Sequence, residues 1–124
     1  MAKVLITGGS GYVGTAAAVE MRQRGYEVLI ADKRPSPLAP KWSYEYVNCR
    51  VDCHKPVRQM LDKHNPDVVV HAAALTYPGS SRRRPLEYWR HNVNATQVLL
   101  ANMEHFGMEK LVFISSSSVY GSGC

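Results

Sequence analysis

Four glycines impose the strongest constraint on this chain: residues 7 to 14 read TGGSGYVG, with glycine at positions 8, 9, 11 and 14. The run is preceded by KVLIT, Lys3 to Thr7, a short and nearly continuous apolar stretch suited to a strand buried on both faces. It is followed by Tyr12 to about Arg24, where Val13, Ala16, Ala17 and Met21 recur at helical spacing and Gly25 stands where a left-handed cap is wanted. A passage from strand to helix this short needs a sharp exit at Gly8, close backbone approach to a ligand at Gly11, and a helix lying tightly on the sheet at Gly14. Free amides of the first helical turn, at the positive end of the helix dipole, then face an anion.

A second strand, Glu27 to Ala31, ends at Asp32. A carboxylate there can accept hydrogen bonds from both hydroxyls of an adenosine ribose, and a 2′-phosphate would meet like charge. The pattern is that of a dinucleotide site and points to NAD. Lys33 and Arg34 follow directly and could pair with a 2′-phosphate, so NADP stays open. The remainder of the chain alternates strands and helices without internal repeats, which argues for a parallel sheet. Lys33 to Ser43 carries Pro35, Pro37 and Pro40 and reads as loop. Next come a weaker strand around Tyr44 to Asn48, a short helix from Pro56 to His64, and the buried strand Val68 to His71. Ala72 to Pro85 reads as loop and Leu86 to His105 as the longest helix, with Leu86, Trp89, Val93, Leu100 and Met103 in its apolar stripe. Gly107 ends it, Leu111 to Ser115 is a last strand, and Ser116 to Cys124 is an exit rich in serine and glycine. Five such strands joined by right-handed crossovers assemble most simply in the order 3-2-1-4-5, a doubly wound α/β Rossmann-type sheet.

At 124 residues, one domain is the expectation. A hydrophobic fraction of 45% with 20% charged residues places the chain among folding rather than disordered sequences. No apolar run reaches the roughly 18 residues of a membrane span, and strand-like sequence begins at once after Met1, so a cytoplasmic location is expected. The three cysteines, Cys49, Cys53 and Cys124, have no disulfide-framework spacing. Cys49, Cys53 and His54 lack an evident fourth metal ligand. The net charge of +5 is densest at Arg82 to Arg84, a run that fits a solvated loop and, less directly, a phosphate-binding surface.

Taken together, TGGSGYVG, Asp32, HAAA at His71 to Ala74 and SSSSVYG at Ser115 to Gly121 resemble the extended short-chain dehydrogenase/reductases, in particular the nucleotide-sugar epimerases and dehydratases. The resemblance covers the whole chain but only the first half of such an enzyme. It implies that the backbone at Tyr12 and Val13 contacts the pyrophosphate, that Asp32 holds the adenosine ribose, and that Asp52 and Cys53 flank the adenine. By the same resemblance Ala72, Ala73, Ala74 and Thr76 line the cofactor after the fourth strand, and His91 and Asn92 lie toward its nicotinamide. Ser116 matches the family's catalytic Ser or Thr, whose hydroxyl shares a hydrogen bond with the substrate oxygen being oxidised. Its neighbours Ser115, Ser117 and Ser118 are read as structural.

The family's proton-accepting tyrosine belongs to a Y-x-x-x-K pair on a following helix, and its pKa is lowered by the lysine. Neither Tyr88 nor Tyr120 has a lysine four residues on. The expectation is therefore a partial NAD(P)-binding domain over residues 1–124 without its substrate-binding domain, inactive by itself, with an exposed edge strand and long helix that invite self-association. Two other readings are a non-catalytic nucleotide-binding or regulatory module, and a nucleic-acid surface at Arg82 to Arg84; the second lacks interleaved stacking aromatics.

Overall fold

A computed structural model describes residues 1–36 and 44–122. Pro37 and Pro40 of the expected loop, and Cys124, lie outside the described residues. Five parallel strands form one sheet in the order β3-β2-β1-β4-β5: β1 Lys3–Thr7, β2 Glu27–Asp32, β3 Glu45–Asn48, β4 Val68–His71 and β5 Leu111–Phe113. This is the doubly wound α/β arrangement expected. Its central strand is β1, where Leu5 is in register with Leu29 on one side and Val69 on the other.

The pleat divides the core in two. Val4, Ile6, Val28, Ile30 and Val70 face the helix α1, Tyr12–Gln23, and pack with its Ala18 and with Tyr44. Leu5, Leu29, Ala31 and Val69 face the opposite side. There they meet Val57, Met60 and Leu61 of α2, His54–His64, and Val98, Leu99 and Met103 of a helix near the C-terminus. A strand whose alternate residues are all apolar must be covered on both faces, and the KVLIT run supplies such a strand.

The helical boundaries show three departures from expectation. First, α2 starts at His54 and carries Pro56 in its first turn, where a missing N–H forfeits no intrahelical bond. Second, the stretch expected as loop to Pro85 holds a short helix α3, Pro78–Arg83, opened by its proline. Third, the long helix is not one regular rod. It runs as α4, Pro85–Trp89, a π-helical turn, Arg90–Asn94, and α5, Ala95–His105. The π turn shifts the phase of everything after it, so the buried stripe is Ala95, Val98, Leu99, Asn102 and Met103. Leu86, Trp89 and Leu100, expected to be inward, are exposed. Strand β5 also stops at Phe113, and Ser117–Tyr120 form a 3₁₀ turn.

Candidate functional site

Where the chain reverses the direction in which strands are added, between β1 and β4, the connections leaving the strand ends diverge and leave a crevice. A cleft of about 400 Å³ lies there, among residues that follow β1, β2, β3 and β4. Its size lies within the usual range for small-molecule sites.

The glycine turn forms its floor. Gly8 leaves β1 with φ +68°, donating its amide to Ala31 O at 2.8 Å, while Gly11 N donates back to Gly8 O at 3.0 Å. A Cβ on Gly8 would stand 2.6 Å from Ala73 Cα, so the turn and the segment after β4 touch backbone to backbone. A Cβ on Gly14 would overlap Gly8 O, which is how closely α1 lies on the turn. Gly11 differs: the nearest atoms to its virtual Cβ are Gly8 O at 3.3 Å and Arg34 Nη2 at 3.8 Å. The first helical hydrogen bond of α1 is Thr15 N to Gly11 O at 2.9 Å, so the amides of Tyr12, Val13 and Gly14 have no intrahelical acceptor. An anion set over Gly11 would meet these donors.

Asp32, at the end of β2, is 8% exposed and lines the cleft. Oδ2 accepts the Ser10 amide at 3.1 Å and Oδ1 the Arg34 amide at 3.0 Å. Each oxygen therefore keeps lone-pair capacity for one further donor. Tyr46 supports the segment from below, its hydroxyl 3.0 Å from Asp32 O and 2.9 Å from Arg34 O. Arg34 extends over the cleft with its Nε 3.8 Å from Asp32 Oδ1, and Lys33 stands beside it.

Asp52 holds the wall beyond β3. Arg50 grips its carboxylate with two contacts, Nη2 to Oδ2 at 2.8 Å and Nε to Oδ1 at 3.2 Å, and Arg90 Nε lies 3.3 Å from Oδ2. The hydrogen bond from Arg50 leads the causes that hold this carboxyl below its usual range, against a smaller opposing effect of burial. The π turn places Arg90 against Asp52 and His91 in the cleft. Burial, then Lys33, lowers the His91 pKa. Cys49, also on the wall, is an inert thiol, pushed up to about 11 by burial.

Thus Gly8, Gly11, Asp32, Lys33, Arg34, Asp52, Ala72, Ala73, Ala74, Thr76 and His91 are brought together around one cleft. The others stand apart from its lining. Tyr12 and Val13 have exposed side chains on α1 and could reach a ligand only through their amides. Cys53 opens α2 with its Sγ 3.8 Å from Asp52 Oδ1. Asn92 brackets the backbone of Leu75, its Oδ1 2.8 Å from Leu75 N and its Nδ2 2.9 Å from Leu75 O, which fixes the cleft wall from behind. Ser116 is exposed and caps the 3₁₀ turn by accepting Ser118 N–H at 3.1 Å. Cleft residues not assigned to the site from sequence are Arg50, Val51, Leu75, Tyr77, Ala31 and Cys49. The R-x-D spacing of Arg50 and Asp52 was a usable signal for the first; the others are placed by the fold. Tyr77 is steadied by Tyr88, whose hydroxyl donates to Tyr77 O at 2.7 Å. Arg82 to Arg84 are exposed and do not line the cleft. Among the described residues no group of three or more His, Cys, Asp or Glu converges as metal ligands do, and no helix is long and apolar enough to cross a membrane.

Residues 4–124 match the NAD dependent epimerase/dehydratase family. A UDP-glucose 4-epimerase from Drosophila melanogaster is 38% identical over 133 residues, taking in 95% of this chain and 38% of that protein. One from Klebsiella pneumoniae is 34% identical over 128 residues, or 96% of this chain and 92% of that protein. Among solved structures, UDP-glucose-4-epimerase from Stenotrophomonas maltophila with bound NAD and formylated UDP-arabinopyranose superimposes with a TM-score of 0.88 at 33% identity. The match spans 98% of this chain and 39% of that one. The chain therefore spans less than two fifths of the fly and Stenotrophomonas proteins, and nearly all of the Klebsiella one.

Proposed function

The chain belongs to the NAD dependent epimerase/dehydratase family, and we propose that its cleft binds NAD as the cofactor portion of a nucleotide-sugar epimerase or dehydratase. The observation that carries this reading is a cleft lined by Gly8, Gly11 and the Asp32 carboxylate, at the end of α1 where the first-turn amides have no intrahelical acceptor. Those elements fit a dinucleotide. The amides of Tyr12 and Val13 receive its pyrophosphate, and each Asp32 oxygen accepts one ribose hydroxyl. Asp52, fixed by Arg50, and Cys53 bound the adenine end. Ala72 to Ala74 and Thr76 leave room for the cofactor to pass, with His91 and Asn92 toward the nicotinamide. When bound, NAD supplies a hydride acceptor for a sugar carbon. The part of Ser116 is to hold the sugar oxygen by a hydrogen bond from its hydroxyl.

None of the seven tyrosines is followed four residues later by lysine, so these 124 residues contain no Y-x-x-x-K base. We therefore read this chain alone as binding the cofactor without turnover, as a non-catalytic nucleotide-binding module would. Calorimetric titration tests the binding. NAD is expected to bind more tightly than NADP, because a 2′-phosphate would face Asp32, and Asp32→Ala should weaken NAD about tenfold or more while narrowing the gap to NADP. Equal affinities for both cofactors, unchanged in Asp32→Ala, would remove the carboxylate from the site. Steady production of an epimerised UDP-sugar by the purified chain would overturn the inactivity.

The exposed side chains Val112 and Phe113 on edge strand β5, with Leu100 and Trp89 on the neighbouring helices, are the basis for proposing that the isolated chain self-associates. Sedimentation velocity should show a mass that grows with concentration and reverts toward monomer in Phe113→Lys. A monomer at all concentrations would contradict it.

A further inference from the structure

Beneath the cleft runs a chain of hydrogen bonds through Thr7, His71 and Thr96, three side chains to which the cofactor reading assigns no part. His71, at the end of β4, is 2% exposed. Its Nδ1 is 2.6 Å from Thr7 Oγ1 on β1, and its Nε2 is 3.0 Å from Thr96 Oγ1 on α5. The directions of donation can be worked out from the far ends. Thr96 Oγ1 donates to Asn92 O at 3.3 Å, so its lone pairs are what remain for His71. Nε2 must therefore carry the imidazole proton. Nδ1 is then the acceptor, the Thr7 hydroxyl donates to it, and a Thr7 lone pair is left to receive the Ala73 amide, which points at it from 3.4 Å.

Every member is thus satisfied in one direction only. The sequence of donation runs from Ala73 N–H through Thr7, His71 and Thr96 to the backbone of Asn92. Asn92 in turn brackets Leu75 through its side chain. Both ends of the network therefore terminate on the segment Ala72 to Thr76, the wall that follows β4. The same segment meets the glycine turn at Gly8, where Ala73 leaves no space for a Cβ. A fully connected polar network in a dry interior holds its members in one arrangement, because any other leaves a donor or acceptor unmatched.

We propose that His71, in its Nε2–H tautomer, is a positioning residue that fixes the cleft wall from Ala72 to Leu75 against the glycine turn through Thr7 and Thr96. Its bearing on cofactor affinity rests on the NAD reading above; its hold on the wall does not.

The experiment separates these. In the free wild-type chain, imidazole ¹⁵N shifts should report the Nε2–H form of His71, and the Ala73 and Leu75 amides should exchange slowly. In His71→Phe the exchange of those two amides is expected to accelerate at least tenfold more than that of the Leu5 and Ile6 amides on β1. His71→Asn, which keeps an acceptor near the Nδ1 position, should restore protection at Ala73 more than at Leu75. Thr96→Val, a milder change that keeps the shape of the side chain, should likewise speed exchange at Leu75 more than at Ala73, because the Thr7–His71 link to Ala73 is left in place, and it serves if His71→Phe does not fold. NAD titrated into the same set should weaken at least tenfold in His71→Phe. If the amides respond as stated and the wild type takes up no NAD at millimolar concentration, the cofactor reading fails and the positioning role stands. Wild-type protection at Ala73 and Leu75 in His71→Phe and Thr96→Val, or an Nδ1–H tautomer, overturns the proposal.

Discussion

Gly14→Ala is expected to destabilise the fold by about 3 kcal/mol, although alanine is the better helix former. In an open helical position the exchange would stabilise by roughly 0.5–1 kcal/mol, because glycine loses more backbone freedom on folding. At Gly14 the added Cβ would overlap Gly8 O and come within 2.8 Å of both Gly8 C and Gly9 Cα. These are backbone atoms of a turn tied at both ends, Gly8 N to Ala31 O and Gly11 N to Gly8 O, so they cannot move aside as a side-chain tip would. Relief requires α1 to lift from the sheet, which loosens Ala18 from Val4, Ile6 and Ile30. Overpacking of this kind costs about 1–3 kcal/mol, and rigid neighbours place it at the upper end. Gly79→Ala is the control: nothing lies within 4 Å of its virtual Cβ in α3, and the change should be neutral or slightly stabilising. Urea denaturation of the three proteins measures both effects. A Gly14→Ala midpoint at or above that of the parent would show that α1 does not rest on the turn.

The same residues explain why the N-terminal part of the fold was legible in sequence. Strand, turn, helix and the carboxylate at Asp32 follow one another within the first 32 residues, and each has a local signature. Glycine sits where φ turns positive at Gly8, and apolar residues run without break through a strand covered on both faces. The alternation of elements then restricts the sheet order, because crossovers are right-handed and a parallel sheet must be covered on both sides. From Ala72 onward local signals are weaker. Helical periodicity assumes 3.6 residues per turn throughout, and nothing in Arg-His-Asn-Val-Asn announces a π turn; once it is inserted, Leu100 falls on the outer surface, while Leu86 and Trp89, ahead of it, stand exposed on the short α4. Asn92 similarly has no sequence signal for bracketing Leu75, since the partner lies 17 residues back, across α3 and α4. Thr7, His71 and Thr96 are ordinary residues of a strand end or a helix until the fold stacks them.

That buried histidine also sets the acid limit of the fold, the second large effect expected. Burial lowers the His71 pKa from 6.5 to about 4. The unfolded chain therefore binds a proton at a pH where the folded chain refuses it. Stability contributed by the neutral imidazole is complete above about pH 6.5, is lost progressively as pH falls from there toward 4, and changes no further below that. The full effect is about 3 kcal/mol, of which about 2 is gone by pH 5, a sizeable share of the 5–15 kcal/mol typical of a small domain. The geometry gives the reason: a second N–H at Nδ1 would point at the Thr7 hydroxyl, which must then stop donating and turn its own proton toward no acceptor in the chain of bonds just described. Other groups act in the same region of pH. His64 and His91 are also lowered, chiefly by burial, and Asp52 is held low by Arg50, so the wild-type slope is a sum. Substitution isolates the one member. His71→Asn, which cannot take up a proton, is expected to be less stable than wild type at pH 7.5 and to lose about 2 kcal/mol less between pH 7.5 and pH 5 in paired urea titrations. Parallel losses in the two proteins would mean that His71 is protonated as readily in the folded chain as in the unfolded one, which its bonds to Thr7 and Thr96 in the dry interior should forbid.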